Sequence, residues 1–209
     1  MEPSDAHILA LGGNRFETEC AVRFISILLI LALQFFANGA CADVGNAVKD
    51  AEVRLDELFN QLRESDVEDF YEIEWEIIEI WVHSGSAAMD LLLERGQYAI
   101  EDQDYPKALE HLSALIDHAP EFAEGWNARA TVYYMMDEYS LSISDIQQTL
   151  VLNPRHFGAL NGLGLIFEEL GYTEAAYKAY TMAREIHPYL ENVNEALIAL
   201  RPLIDGIEL

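Results

Sequence analysis

Three prolines, Pro120, Pro154 and Pro188, follow one another at intervals of 34 residues. When the chain is aligned on this interval, the positions before each proline also agree in the size of their side chains. A fixed period of roughly 20 to 50 residues is the sequence signature of a repeat architecture, in which each unit packs mainly on its neighbours. The interval therefore predicts three stacked copies of one supersecondary unit.

Each copy has small residues at two positions, one in each half of the unit. These are Gly96, Ala130 and Gly164 in the first halves, and Ala108, Ser142 and Ala176 in the second halves. Small side chains allow two helices to approach closely, and the proline after the second helix prevents its continuation. Asp104, Glu138 and Gly171 mark the turn between the two predicted helices. The pattern predicts a helix–turn–helix unit with a close helix crossing.

This arrangement resembles the tetratricopeptide repeat (TPR) family, whose unit is a helical hairpin of 34 residues, over about half of the chain. The resemblance implies an all-α fold, a right-handed α-solenoid of three hairpins at residues 89–122, 123–156 and 157–190. Together with a capping helix at 191–204, these repeats would form a TPR domain over residues 87–205. Pro202 is expected to kink or end the capping helix.

The segment 43–86 is predicted to form a helical pair before the first repeat. Apolar residues recur at spacings of three and four from Val44 to Leu62, which predicts a helix over about 46–63. We expect this helix to dock on the neighbouring helix of the same chain rather than to form a coiled-coil dimer. Ser65 and Glu68 are typical of a capping box that opens a second helix, which ends near His83 before a flexible Ser84–Ser86 link. We expect Trp75 and Trp81, with Phe70 and Tyr71, to cover the open end of the first repeat.

The first 42 residues have the pattern of a secretory signal peptide. Arg23 precedes thirteen uncharged residues, Phe24 to Phe36, and Ala40 and Ala42 form a small-x-small cleavage site. The acidic stretch before Val22 is unusual in a signal peptide, so translation could start near residue 22. The prediction is an exported, periplasmic protein. The alternative is an uncleaved anchor in the inner membrane with the repeats outside the cytoplasm.

No constellation of catalytic residues is evident, and we predict no enzymatic activity, cofactor or metal site. No two histidines lie three or four residues apart, as metal ligands on one helix face would, and no Gly-x-Ser-x-Gly motif occurs. Gly158, Gly162 and Gly164 follow no predicted strand, so they do not indicate a phosphate loop. The formal net charge of −25 disfavours nucleic acid and favours a basic partner.

The resemblance to TPR proteins implies a protein-binding adaptor or assembly factor that holds a peptide or protein in a groove formed by the first helix of each hairpin. The residues assigned to this groove are Leu93, Gln97, Ile100, Asn127, Thr131, Tyr134, Met135, Asn161, Leu165, Glu168 and Glu169. None of them is Lys or Arg, which departs from the TPR domains that bind an acidic C-terminal peptide. Asn127 and Asn161 are suited to hydrogen-bonding the main chain of an extended segment, and Tyr134 is suited to act as an aromatic anchor.

Three other interpretations fit the same sequence. The chain could be a membrane-tethered scaffold, if the leader is not cleaved. It could be a self-associating structural subunit of an envelope complex that uses the apolar stripe at 44–62. It could also position a separate catalytic subunit.

Overall fold

The computed structural model describes residues 49–64 and 70–206, and this part of the chain consists of helices joined by short turns, without a β-strand. Residues 49–64 form α1. The other helices are α2 (Phe70–Val82), α3 (Ala87–Glu101), α4 (Tyr105–His118), α5 (Ala123–Met135), α6 (Tyr139–Leu152), α7 (Phe157–Glu169), α8 (Thr173–Ile186) and α9 (Glu191–Asp205). Within the described residues, none of these helices is long and apolar enough to span a membrane.

The three predicted hairpins are α3/α4, α5/α6 and α7/α8, and the predicted small residues lie where their helices cross. A Cβ on Gly96 would lie 2.5 Å from Leu112 Cδ2, and a Cβ on Gly164 would lie 2.3 Å from Tyr180 Cε1. These distances are too short for a Cβ, so any larger residue at either position would require the facing Leu112 or Tyr180 side chain to shift. The close crossings predicted from the sequence are confirmed.

The turns inside the hairpins repeat with the same period as the prolines. Gln103, Asp137 and Gly171 each have a left-handed backbone, with φ of 59°, 59° and 73°. Glycine adopts this conformation without steric cost, whereas Gln103 and Asp137 adopt it against their preference. The turns therefore centre one residue before the predicted Asp104 and Glu138, and at the predicted Gly171.

A bidentate ion pair joins the two helices of the second hairpin. The Arg129 guanidinium donates to both carboxylate oxygens of Asp145, at 2.7 and 3.0 Å, and to Ser113 Oγ of α4 at 3.3 Å. The hydrogen bond to Asp145 raises the pKa of Arg129. Asp145 is only 4% exposed, so this pair fixes α5 against α6 in a largely dry environment.

The N-terminal helical pair packs along the turns between repeats rather than over the open end of the first repeat. Phe70 stacks on Tyr189 with ring centroids 5.0 Å apart, and Trp81 stacks on His156 at 4.6 Å. Trp75 and Tyr71 are both 66% exposed. The expectation that these four aromatic residues cover the first repeat is therefore wrong, because the buried ones pack on the turns before α7 and α9.

The apolar stripe of α1 docks inside the chain, as predicted for the residues that are described. Leu58, Phe59 and Leu62 are buried in a cluster with Ile77 of α2 and Phe157 at the start of α7. Arg54 Nε and Nη2 donate to the Glu76 carboxylate at 2.6 and 2.8 Å, which joins α1 to α2. The second helix of the predicted pair is also confirmed over its described residues, since α2 ends at Val82, next to the predicted end near His83.

Two local expectations are corrected. The Ser84–Ser86 segment is a hydrogen-bonded turn rather than a flexible link, because the Asp90 carboxylate accepts from the Ser84 N–H at 2.8 Å and from its hydroxyl at 2.5 Å. Pro202 lies inside α9, which continues to Asp205, so of the two predicted effects it does not end the helix. The predicted leader, 1–42, and the predicted capping box at Ser65 and Glu68 lie outside the described residues.

Candidate functional site: a cleft between the second and third repeats

A cleft of about 260 Å³ lies between α5 and α7, the first helices of the second and third hairpins, and α6 also lines it. None of its lining residues is charged. They are Asn127, Ala130, Thr131, Tyr134, Met135, Ser142, Ile146, Gly158, Ala159, Asn161, Gly162, Leu165 and Ile166. The cleft is thus mainly apolar with a few polar groups, as peptide-binding and ligand-binding sites usually are.

Two glycines on one face of α7 keep the cleft open. Gly158 and Gly162 are four residues apart, so they lie one turn above the other. A Cβ on Gly162 would meet only Ile146 Cδ1 at 3.7 Å, which is an ordinary contact distance. Glycine is thus not required here for helix packing, unlike Gly164, and its missing side chain adds to the volume of the cleft.

Asn127 and Asn161 offer complementary hydrogen-bonding groups. The Asn127 amide donates to Glu124 Oε1 at 3.0 Å, which leaves its carbonyl oxygen as an acceptor. Asn161 Oδ1 accepts from Asn192 Nδ2 at 3.0 Å, which leaves its NH₂ group as a donor. Among the described residues, the pair therefore keeps a free carbonyl acceptor on Asn127 and a free NH₂ donor on Asn161, which match the N–H and C=O of a peptide main chain.

The other part of the cleft is apolar and exposed enough to meet a partner. Met135 is 46% and Leu165 is 36% exposed. Tyr134 packs against Tyr139 with ring centroids 5.9 Å apart, which holds its ring in place. A fixed aromatic ring beside flexible apolar side chains is typical of interface anchors.

Negative charge borders this apolar part. The Tyr139 hydroxyl donates to Asp137 Oδ1 at 3.0 Å. This bond, and the charges of Asp137 and Glu169, raise the pKa of Tyr139. Because the Tyr139 ring packs against Tyr134, these carboxylates place negative charge near this end of the cleft.

A contact chain links the cleft to the N-terminal helical pair. His156, which caps α7, accepts from the Ala159 N–H through Nδ1 at 3.0 Å, so its proton lies on Nε2. That Nε2–H donates to Glu124 Oε2 at 3.0 Å, and Glu124 also accepts from Asn127. Since Trp81 of α2 stacks on the His156 ring, α2 supports the orientation of Asn127.

The structure brings six of the predicted groove residues together in this cleft: Asn127, Thr131, Tyr134, Met135, Asn161 and Leu165. Leu93 is different, since it is 2% exposed in the core with Leu112 and Val132, and its side chain is not accessible to a partner. An apolar side chain at this position packs inward, whereas Asn127 and Asn161 at the equivalent positions do not. Gln97, Ile100, Glu168 and Glu169 do not line the cleft. Ile100 packs on the same core as Leu93, and Glu168 Oε2 accepts from the Tyr180 hydroxyl at 2.5 Å.

Sequence reasoning missed seven lining residues, of which Gly158 and Gly162 matter most. Their spacing of four residues on a predicted first helix was the available signal, since it opens one face of that helix. Ser142 and Ala130 were assigned only to the helix crossing, and they do meet there, because Ser142 Oγ donates to Ala130 O at 2.7 Å. No cluster of three or more His, Cys, Asp or Glu residues that could hold a metal ion occurs in the part of the chain that is described.

Comparisons with known proteins agree with the repeat architecture. Residues 93–143 and 128–191 match the family described as "Tetratricopeptide repeat". A TPR repeat-containing protein of Rhizobium etli is 38% identical over 162 residues, which cover 77% of this chain and 79% of that protein. The chain belongs to the tetratricopeptide repeat family.

Solved structures share the fold at low sequence identity. The first TPR domain of Spaghetti (RPAP3), bound to the HSP90 peptide SRMEEVD, is 21% identical with a TM-score of 0.55, covering 57% of this chain and 95% of that one. The type III secretion translocator chaperone SycD of Yersinia enterocolitica is 15% identical with a TM-score of 0.53, covering 56% of this chain and 93% of that one. These similarities support a TPR solenoid of helical hairpins.

Proposed function

We propose that this protein is a non-catalytic adaptor that holds an extended segment of a partner protein in the cleft between α5 and α7. The observation that carries this proposal is the composition of the cleft, which combines Asn127 and Asn161 with the half-buried Tyr134 and the exposed side chains of Met135 and Leu165. The asparagines would bond to the main chain of the segment. The apolar part would take one of its side chains.

The partner segment should be neutral or basic rather than acidic. A TPR domain of similar fold binds the peptide SRMEEVD, which ends in three acidic residues out of four. Neither Lys nor Arg lines the cleft of this chain, so it has no cation for such carboxylates. Asp137 and Glu169 near Tyr139 instead favour a Lys or Arg on the segment.

The absence of acid, base or nucleophile pairs from the lining supports a binding role. Ser142 and Thr131 are its only hydroxyl groups besides Tyr134. Ser142 donates to Ala130 O, and Thr131 donates to Asn127 O at 3.1 Å, so neither is paired with a base. Binding, not covalent chemistry, is what these groups support.

We further propose that the adaptor acts outside the cytoplasm. The apolar run Phe24–Phe36 and the Ala40-x-Ala42 site support export and cleavage. The mass of the protein recovered from the periplasm should correspond to a chain that begins at Asp43. Recovery of residues 24–42 with the membrane fraction would favour the tethered scaffold instead.

The cleft is tested by filling it. A Gly162→Leu substitution would place a branched side chain in the cleft, while Gly162→Ala adds only a Cβ at an ordinary distance from Ile146. In affinity capture with the full chain, quantified by mass spectrometry, partners held by wild type and by Gly162→Ala should be lost with Gly162→Leu. Capture of the same proteins by all three, each shown to be folded at the assay temperature, would show that the cleft is not the binding site.

A further inference from the structure

Helix α2 has a second apolar face that is largely open to solvent in the described part of the chain, where the Tyr71 ring contacts the neighbouring Phe70 ring with centroids 4.0 Å apart. Tyr71 and Trp75 are both 66% exposed, and Ile78 is 37% exposed. These three residues, the α2 stripe, are spaced four and three residues apart, so they lie on one side of the helix. A solvent-exposed aromatic and aliphatic stripe of this kind marks an interaction surface more often than a single exposed residue does.

The stripe is exposed although α2 itself is firmly docked. Phe70 and Ile77 are buried in the cluster with α1, and Trp81 stacks on His156. The Arg54–Glu76 pair holds the side of the helix that faces α1. The helix therefore needs no further contact for its own packing, and it presents an exposed tryptophan, a residue type enriched among interface anchors, on a firmly docked backbone.

The charges around the stripe select the partner. Glu72 and Glu79, three residues before and four after Trp75, are both exposed and border it. Helix α2 contains no basic residue. The neighbouring Glu76 already pairs with Arg54, so Glu72 and Glu79 are the carboxylates available beside the tryptophan.

We propose that the α2 stripe binds a cationic amphipathic helix of a partner protein, independently of the cleft. Apolar side chains of that helix would cover Tyr71, Trp75 and Ile78, and its Lys or Arg side chains would reach Glu72 and Glu79. Charge argues against a second copy of this chain, because a two-fold contact would bring the same glutamates together. Charge equally disfavours an anionic lipid surface.

A designed peptide tests this surface. The probe is a fluorescently labelled 18-residue helix, with Leu at positions that form one face and Lys elsewhere, and the matched control peptide has Glu in place of each Lys. The full chain should bind the Lys peptide at least tenfold more tightly than the Glu peptide. A Tyr71→Ser/Trp75→Ser variant, which keeps every charge, should lose at least tenfold in affinity for the Lys peptide.

Matched variants separate the stripe from other surfaces. Tyr98→Ser removes a side chain that is 59% exposed on α3, and it should leave the affinity unchanged, as should Gly162→Leu in the cleft. Glu72→Gln/Glu79→Gln should weaken binding and reduce its dependence on salt, because two charge contacts are lost.

Four results would overturn the proposal. Equal affinity of wild type and Tyr71→Ser/Trp75→Ser for the Lys peptide would show that the stripe is not the binding surface. Equal affinity of wild type for the two peptides would show that the surface does not select a cationic partner. A concentration-dependent dimer of wild type, absent from the variant in sedimentation, would make a second copy the occupant. Binding to phosphatidylglycerol vesicles that the variant loses would make it a lipid surface.

Discussion

Two glycines on α7, two positions apart, show how the surroundings of one residue determine its role. Gly164 faces Tyr180, which is 1% exposed in the third hairpin, whereas Gly162 faces the cleft. The repeat period predicted the role of Gly164, because Gly96 and Ala130 occupy the same position. The period gave no indication for Gly162, since the equivalent positions are Ala128 and Glu94.

Alanine at these two glycines should have opposite effects on stability. Gly164→Ala should lower the free energy of unfolding, because the new Cβ would lie 2.3 Å from Tyr180 Cε1 and the ring must move away. Overpacking of this kind costs about 1–3 kcal/mol. Gly162→Ala should raise the free energy of unfolding by up to about 1 kcal/mol, since alanine favours the helix and meets no clash. Urea unfolding measures both values, and an equal effect of the two substitutions would mean that the helix crossing is misplaced.

His187 gives the fold a dependence on pH. It is 0% exposed, its Nε2 is 3.7 Å from Glu74 Oε2, and this nitrogen makes no hydrogen bond within the described residues. Burial lowers the pKa of His187 from 6.5 to about 4. Because the folded pKa is depressed, the folded state favours the neutral imidazole, and the resulting stability is present above pH 6.5 and is lost as the pH falls towards 4.

Between pH 7 and pH 4, wild type should therefore lose about 3 kcal/mol more of its free energy of unfolding than His187→Leu does. The pKa of Glu74 is raised by burial, which acts in the opposite direction, but Glu74 is present in both proteins. Denaturant unfolding at a series of pH values gives the difference. Parallel curves for the two proteins would show that His187 titrates normally in the folded state.

At the scale of helices, periodicity predicted the repeats closely and the N-terminal pair only in part. Helices α5, α7 and α9 begin at the residues that the 34-residue register predicts, because each hairpin packs on an equivalent neighbour. Helices α1 and α2 have no equivalent in the register. Their docking depends on Phe157, the first residue of α7, and on Tyr189 in the turn before α9, and no local pattern identifies the packing partners of these two residues.

The two faces of α2 should respond differently to alanine. Ile77 is 0% exposed against α1 and Phe157, so Ile77→Ala should cost roughly 2–5 kcal/mol. Trp75→Ala, on the exposed face of the same helix, should change stability by less than about 0.5 kcal/mol. Thermal and urea unfolding of both variants test the placement. A large loss with Trp75→Ala would mean that its ring is buried against part of the chain.

For the whole molecule, the sequence predicted where a groove would form but not how far it would extend. Six of the eleven predicted residues meet in one cleft because the second and third hairpins carry polar or exposed side chains at equivalent positions. In the first hairpin, Leu93 is buried in a core cluster against which Ile100 and Val82 of α2 also pack. Val82 precedes the repeat, so the register of the repeat does not describe its contribution to this core.

The central claim, that a partner segment lies in the cleft between α5 and α7, is tested most directly by site-specific photo-crosslinking in cells. A photoreactive side chain would replace Leu165 in the cleft or, as the control, Val151, which is 73% exposed on α6 and does not line the cleft. The account predicts crosslinks from position 165 to one neutral or basic segment of a partner, and none to that segment from position 151. Equal crosslinking of that segment from both positions, or from position 151 alone, would contradict it.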